Sequence, residues 1–134
     1  MKIVWITGGS TGIGLATAKK FSKNNWIVVI SSRNYNKLEE ARKKILNSSE
    51  NSKVYIYECD ISKQKEVINT VNKINSTLGN IDLAILNAAA YSPNKTQDFS
   101  IENYEHLIDV NLKGTLYCID ILIKKMSSVK KGHI

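Results

Sequence analysis

Residues 7–14 read Thr7-Gly8-Gly9-Ser10-Thr11-Gly12-Ile13-Gly14, four glycines between a short β-branched apolar run and a stretch of helical period. A glycine-rich turn joining a strand to a helix can seat the phosphates of a nucleotide. The first N–H groups of the helix have no partner within it, and its dipole favours an anion. Side chains at the key glycines would hold a pyrophosphate away from the backbone. A second candidate group, Ser31-Ser32-Arg33, closes the next apolar run. An acid there would accept from ribose hydroxyls and repel a 2′-phosphate, whereas Arg33 can grip a phosphate through two hydrogen bonds and stack on adenine. Ser31 and Ser32 can donate to the same phosphate. Farther on, Asn111 and Gly114 interrupt a long amphipathic segment at a cost in helix propensity, so each needs a local reason to be there.

These groups must be held by regular elements, and the chain alternates them strictly. Lys2–Ile6, Trp26–Ile30, Val54–Tyr57 and Ile81–Leu86 read as strands. Ile13, Ala16, Lys20 and Phe21 begin the first helical period. Asn36 with Glu39 reads as a capping box opening a second helix over Leu38, Ala41 and Ile45, which ends near Asn47-Ser48. Ser62 is the expected cap of a third, with Val67, Val71, Ile74 and Leu78 on one face and Gly79 as its stop. Ser100 opens a long fourth helix through Ile101, Tyr104, Leu107, Ile108, Leu112, Thr115, Cys118, Leu122 and Met126. Four β-α units predict an α/β doubly wound parallel sheet with right-handed crossovers, in one domain over residues 1–134.

Composition narrows the class. The net charge of +7 comes from bases scattered along helical segments, such as Lys19-Lys20 and Arg42-Lys43-Lys44. No recognition-helix or aromatic-interleaved pattern goes with it, so a solvated surface is expected rather than nucleic-acid binding. A modest positive field also helps attract a polyanion. Met1-Lys2 runs straight into the first strand, leaving no room for a signal peptide, and no apolar run reaches the roughly 18 residues of a membrane span. Cys59 and Cys118 lack metal or redox spacing, and His106 and His133 lack partners at ligand spacing. The expectation is a reduced, cytoplasmic chain without a metal site or membrane contact.

The turn is neither G-x-G-x-x-G nor a P-loop, because Leu15-Ala16-Thr17 follows Gly14 and no Gly-Lys-Ser/Thr appears. It resembles the T-G-x-x-x-G-x-G turn of the short-chain dehydrogenase/reductase family. That resemblance implies a Rossmann-like sheet of strand order 3-2-1-4 and a nicotinamide dinucleotide seated on Gly8, Ser10, Thr11, Gly12, Ile13 and Gly14. Ser32 stands where the family's NAD-binding acid would be, and Arg33 is typical of its NADP binders, so the cofactor implied is NADP rather than NAD. The second base that such members often carry within the turn is replaced by Thr11. The resemblance further implies that Asp60 and Ile61 frame the adenine. Asn87-Ala88-Ala89 resembles the family's N-N-A-G segment beside the cofactor ribose, with Leu86 for its first asparagine and Ala89 for its glycine. Asn111 matches the asparagine of the catalytic Asn-Ser-Tyr-Lys tetrad, whose backbone carbonyl holds a water of the proton relay.

Gly132-His133-Ile134 resembles the start of the family's fifth strand, whose end carries the catalytic serine, with Tyr-x-x-x-Lys farther on. Tyr91-Ser92-Pro93-Asn94-Lys95 has that spacing, but Pro93 at its centre opposes the helical turn the motif needs, and it precedes Asn111. The resemblance thus covers the first half of a family member. It implies an oxidoreductase acting on a small carbonyl or alcohol, a dimer or tetramer when complete, and an inactive 134-residue stretch by itself. As an isolated piece it is expected to self-associate, because the fourth strand becomes an edge and the long helix loses packing neighbours. The alternative expectation is a naturally short, non-catalytic dinucleotide-binding or interaction module. An atypical sugar-nucleotide epimerase is weaker, since its T-G-x-x-G-x-x-G turn does not match residues 7–14.

Overall fold

A computed structural model describes residues 1–49, 52–93, 97 and 99–134. The four strands β1 (Ile3–Thr7), β2 (Ile27–Ser32), β3 (Lys53–Glu58) and β4 (Leu83–Leu86) form one parallel sheet in the order β3-β2-β1-β4. In register, Trp5 stands opposite Val29 on one side and Ala84 on the other. Every residue of β1 is buried, as a central strand covered on both faces requires. The helices α1 (Gly12–Ser22) and α2 (Tyr35–Leu46) cover one face, where Val4, Ile6, Val28 and Ile30 meet Ala18, Leu38 and Ala41. On the other face α3 (Gln64–Thr77) and the fourth helical stretch enclose Trp5 and Val29 with Val67, Val71, Cys118 and Leu122.

Two expected caps are displaced. Asn34, not Asn36, opens α2, its side chain accepting from Lys37 N at 3.0 Å. The residue ahead of α3 is Lys63, and Ser62 instead donates its hydroxyl to Asp60 Oδ1 at 2.7 Å. Asp60 offers a turn of its own two residues upstream, and that local bond competes with capping. Ser100 does cap the fourth stretch, accepting from Asn103 N.

That stretch is not one continuous α-helix. It runs as α4 (Ile101–Ile108), a π-helical segment (Asp109–Gly114) and α5 (Thr115–Ser128). The wider turn falls on Asn111 and Gly114, the residues whose helix cost called for a local reason. Ile101, Tyr104, Ile108, Leu112, Leu116 and Ile123 recur at three- to seven-residue steps along it and are exposed.

At the chain's end His133 bridges to Leu83 in parallel. Ala84 N donates to His133 O at 2.9 Å, and His133 N to Asp82 O at 3.0 Å. The backbone therefore begins to pair along the outer side of β4, as a fifth strand would. Asn94 and Lys95, two of the five residues in the Tyr91–Lys95 spacing, lie outside the described residues.

Candidate functional site

At the carboxyl ends of the strands a cavity of about 550 Å³ opens, walled by the glycine turn, the β2 end, the loop after β3 and the loop after β4. Of the residues singled out in sequence, Gly8, Ser10, Thr11, Gly12, Ile13, Ser31, Ser32, Arg33, Asp60, Ile61, Asn87, Ala88 and Ala89 all border it. Gly14 and Asn111 are not in its wall. Asn34, Lys37, Cys59 and Val110 are, and sequence reasoning passed them over. Lys37 carried a readable signal, because it lies in the first turn of α2 just beyond Arg33.

The glycines divide by task. A Cβ on Gly12 would meet nothing within 4 Å, and its φ of +54° lies in the left-handed region that suits glycine. Of the turn's four glycines it alone leaves the added Cβ without a neighbour. Gly14 is an internal contact, since a Cβ there would come within hard-contact range of Gly8 O and Asn87 Nδ2. Asn87 ties the turn down by donating to Thr7 O at 3.2 Å and Gly8 O at 3.3 Å. Thr7 Oγ1 accepts from Ala88 N at 3.1 Å, joining the ends of β1 and β4. The turn is therefore held from beneath by the fourth strand's loop.

Electrostatically the cavity favours an anion. Thr11 precedes α1 without a side-chain cap bond, and no acid stands in that helix's first turn. The helix N-terminus is thereby left for an outside acceptor. Arg33 and Lys37 are exposed in the opposite wall, and among the described residues neither pairs with a carboxylate. Glu39, the nearby acid of α2, is engaged with Tyr35 and Arg42. Ser31 is 1% exposed and its Oγ accepts from Trp5 Nε1 at 3.1 Å, so it braces the wall from within.

The loop after β3 is equally braced. Asp60 Oδ1 accepts from Ser62 N and Oγ, and Asp60 N donates to Glu66 Oε2 at 2.8 Å. Behind it, burial pushes the Cys59 thiol up, a bond with Thr70 opposes this, and the Glu66 and Asp60 charges add to the rise. Burial, and then Cys59, push Cys118 up to about 12. Among the described residues no cluster of His, Cys, Asp and Glu could hold a metal ion. Nor is any described helix long and apolar enough to cross a membrane.

Asn111 reaches the site through the backbone. Its Oδ1 accepts from Ala90 N at 2.7 Å and its Nδ2 donates to Ala90 O at 2.9 Å, clamping the loop after β4. Its own carbonyl accepts from Thr115 Oγ1 at 2.9 Å. Its neighbour Val110, 5% exposed, supplies the wall.

Residues 2–134 match the family model described as short chain dehydrogenase. An uncharacterized oxidoreductase of Staphylococcus haemolyticus is 30% identical over 99% of this chain and 56% of its own length. Among solved structures, a short chain dehydrogenase from Bacillus anthracis is 30% identical with a TM-score of 0.89, over 97% of this chain and 51% of that one. A xylitol dehydrogenase bound to NAD+ is 25% identical with a TM-score of 0.87, over 98% of this chain and 50% of that one. The chain thus spans about half the length of the proteins it matches.

Proposed function

The chain belongs to the short-chain dehydrogenase family, and from that premise we propose that it serves an NADP-dependent oxidoreductase. In this reading a hydride passes between nicotinamide and the carbonyl or alcohol carbon of a small molecule. Residues 1–134 are read as the first part of its single dinucleotide-binding domain. The single observation that carries the reading is the pair of cations, Arg33 and Lys37, which meet no carboxylate among the described residues, in a cavity whose floor is the open glycine turn. A pyrophosphate fits the uncapped start of α1 beside Gly12, where no Cβ stands in the way. Arg33, Ser32 and Lys37 would take a 2′-phosphate, and Asp60 and Ile61 would frame the adenine. Asn87, Ala88 and Ala89 would border the ribose. The loop that follows them is held at Ala90 by Asn111, the tetrad residue present here. The bound cofactor supplies the hydride chemistry; these residues bind and orient it. Proton transfer belongs to the serine and Tyr-x-x-x-Lys of the family pattern, so the 134-residue stretch alone is read as inactive. The complete protein is read as a soluble, cytoplasmic homo-oligomer.

The test is calorimetric titration of the full chain with NADP+ and with NAD+. Arg33→Ala is expected to weaken NADP+ by roughly 10- to 100-fold, the ~1.5–3 kcal/mol of a charged hydrogen-bonding contact, with NAD+ little changed. Lys37→Ala should follow the same direction by a smaller factor. Equal losses for both dinucleotides would overturn the 2′-phosphate assignment.

A further inference from the structure

The π-helical segment reaches both sides of the cavity. Asn111 clamps Ala90 behind β4, Val110 lines the wall, and Gly114 presses against Ile61 behind β3. A Cβ on Gly114 would lie 2.8 Å from Ile61 Cγ1, 2.9 Å from its Cδ1 and 3.0 Å from its carbonyl oxygen. The first two atoms belong to a side chain that is 6% exposed and packed in the core, and the third is backbone. No rotamer change at Ile61 relieves all three, so any side chain at position 114 forces the π-helical segment and the segment bearing Asp60 and Ile61 apart. Both of those residues line the cavity. Gly114 itself is buried and does not border the cavity.

We propose that Gly114 is a positioning residue for the adenine-side wall, its missing side chain setting how far Asp60 and Ile61 advance into the cavity. The inference rests on the dinucleotide reading above. It gives the glycine a reason to persist within a helical stretch, where it costs propensity. It also makes the wider turn a single spacer, fixing the β4-side loop through Asn111 and the β3-side loop through Gly114.

Ligand-observed NMR on the full chain tests this, with adenosine 2′,5′-bisphosphate and nicotinamide mononucleotide as separate probes. Gly114→Ala should weaken the adenosine probe on the order of tenfold, as a wall displaced by a fraction of an ångström does, and leave the nicotinamide probe unchanged. In an Ile61→Ala background the effect of Gly114→Ala should shrink, because two of the three close contacts are gone. Parallel loss of both probes, or no loss of either, would overturn the inference. If Gly114→Ala does not fold, the Gly114→Ala, Ile61→Ala double variant, in which the contact with the Ile61 carbonyl remains, is compared with Ile61→Ala alone. A further loss confined to the adenosine probe then supports the assignment, and no further loss, or loss of both probes, overturns it. Failure of the parent chain to bind the adenosine probe would instead overturn the dinucleotide reading, and this inference with it.

Discussion

Two glycines of one turn, Gly14 and Gly12, should fail in opposite ways when each is replaced by alanine. A Cβ on Gly14 would overlap Gly8 O and stand 2.6 Å from Asn87 Nδ2 and 3.0 Å from Gly8 C. Two of these are backbone, so the turn must open by roughly 1 Å to restore ordinary contact. Overpacking of this kind costs about 3 kcal/mol at the upper end. Losing the Asn87 bonds to Thr7 O and Gly8 O adds about 1 kcal/mol each. Replacing a helical glycine by alanine returns about 1 kcal/mol. The net loss for Gly14→Ala is about 4 kcal/mol, or roughly 15 °C in Tm for a chain of this size. Gly12→Ala meets no atom within 4 Å and bears only the cost of alanine at a φ of +54°, about 1 kcal/mol. Its methyl group stands where the pyrophosphate is read to lie, so NADP+ affinity should fall by about tenfold or more. Urea unfolding followed by far-ultraviolet circular dichroism and calorimetric titration, both on the full chain, separate the two. A Gly14→Ala chain as stable as the parent would refute the packing argument. A Gly12→Ala chain that binds NADP+ as the parent does would refute the phosphate assignment.

Asp82 provides a pH-dependent test. Burial works to raise its carboxyl, but the Lys131 hydrogen bond, the Ile3 N–H and the Lys131 and Lys2 charges outweigh it and hold it below the usual range. A depressed carboxyl stabilises the fold above its unfolded value, and that contribution is lost as pH falls through the folded one. Asp82→Asn should therefore flatten the acid limb of the urea midpoint below about pH 4, while an unchanged limb would remove Asp82 from that role. Cys59 and Cys118 are both buried with raised thiols, so Ellman's reagent at neutral pH should label neither until denaturant is added. Rapid labelling of the native chain would contradict the packing of α3 against α5.

Legibility in the sequence followed the range of the interaction. The glycine turn, Arg33 and the four β-α units were readable because each depends on neighbours in the chain, through a strand's period, a turn's φ or a helix's first N–H groups. The displaced caps at Asn34 and Lys63 show the limit of that reading, since several polar residues compete for one helix start and small geometric differences decide between them. Lys37 was overlooked although it lies in the first turn of α2 just beyond Arg33, because helical period does not say which way that turn faces until the β2 end is placed beside it.

The sequence alone determined that this chain builds a parallel sheet of the short-chain dehydrogenase kind with a glycine-rich turn between its first strand and first helix. Strand patterns and glycine spacing are local quantities, written directly in the order of residues. Only the tertiary structure decided which glycine of the turn stands in open space and which packs against Asn87. It alone revealed that Asn111 acts on Ala90, and that Gly114 meets Ile61. Those pairings join residues 21 to 73 positions apart in the chain, and close packing between distant segments leaves no local trace in composition or period.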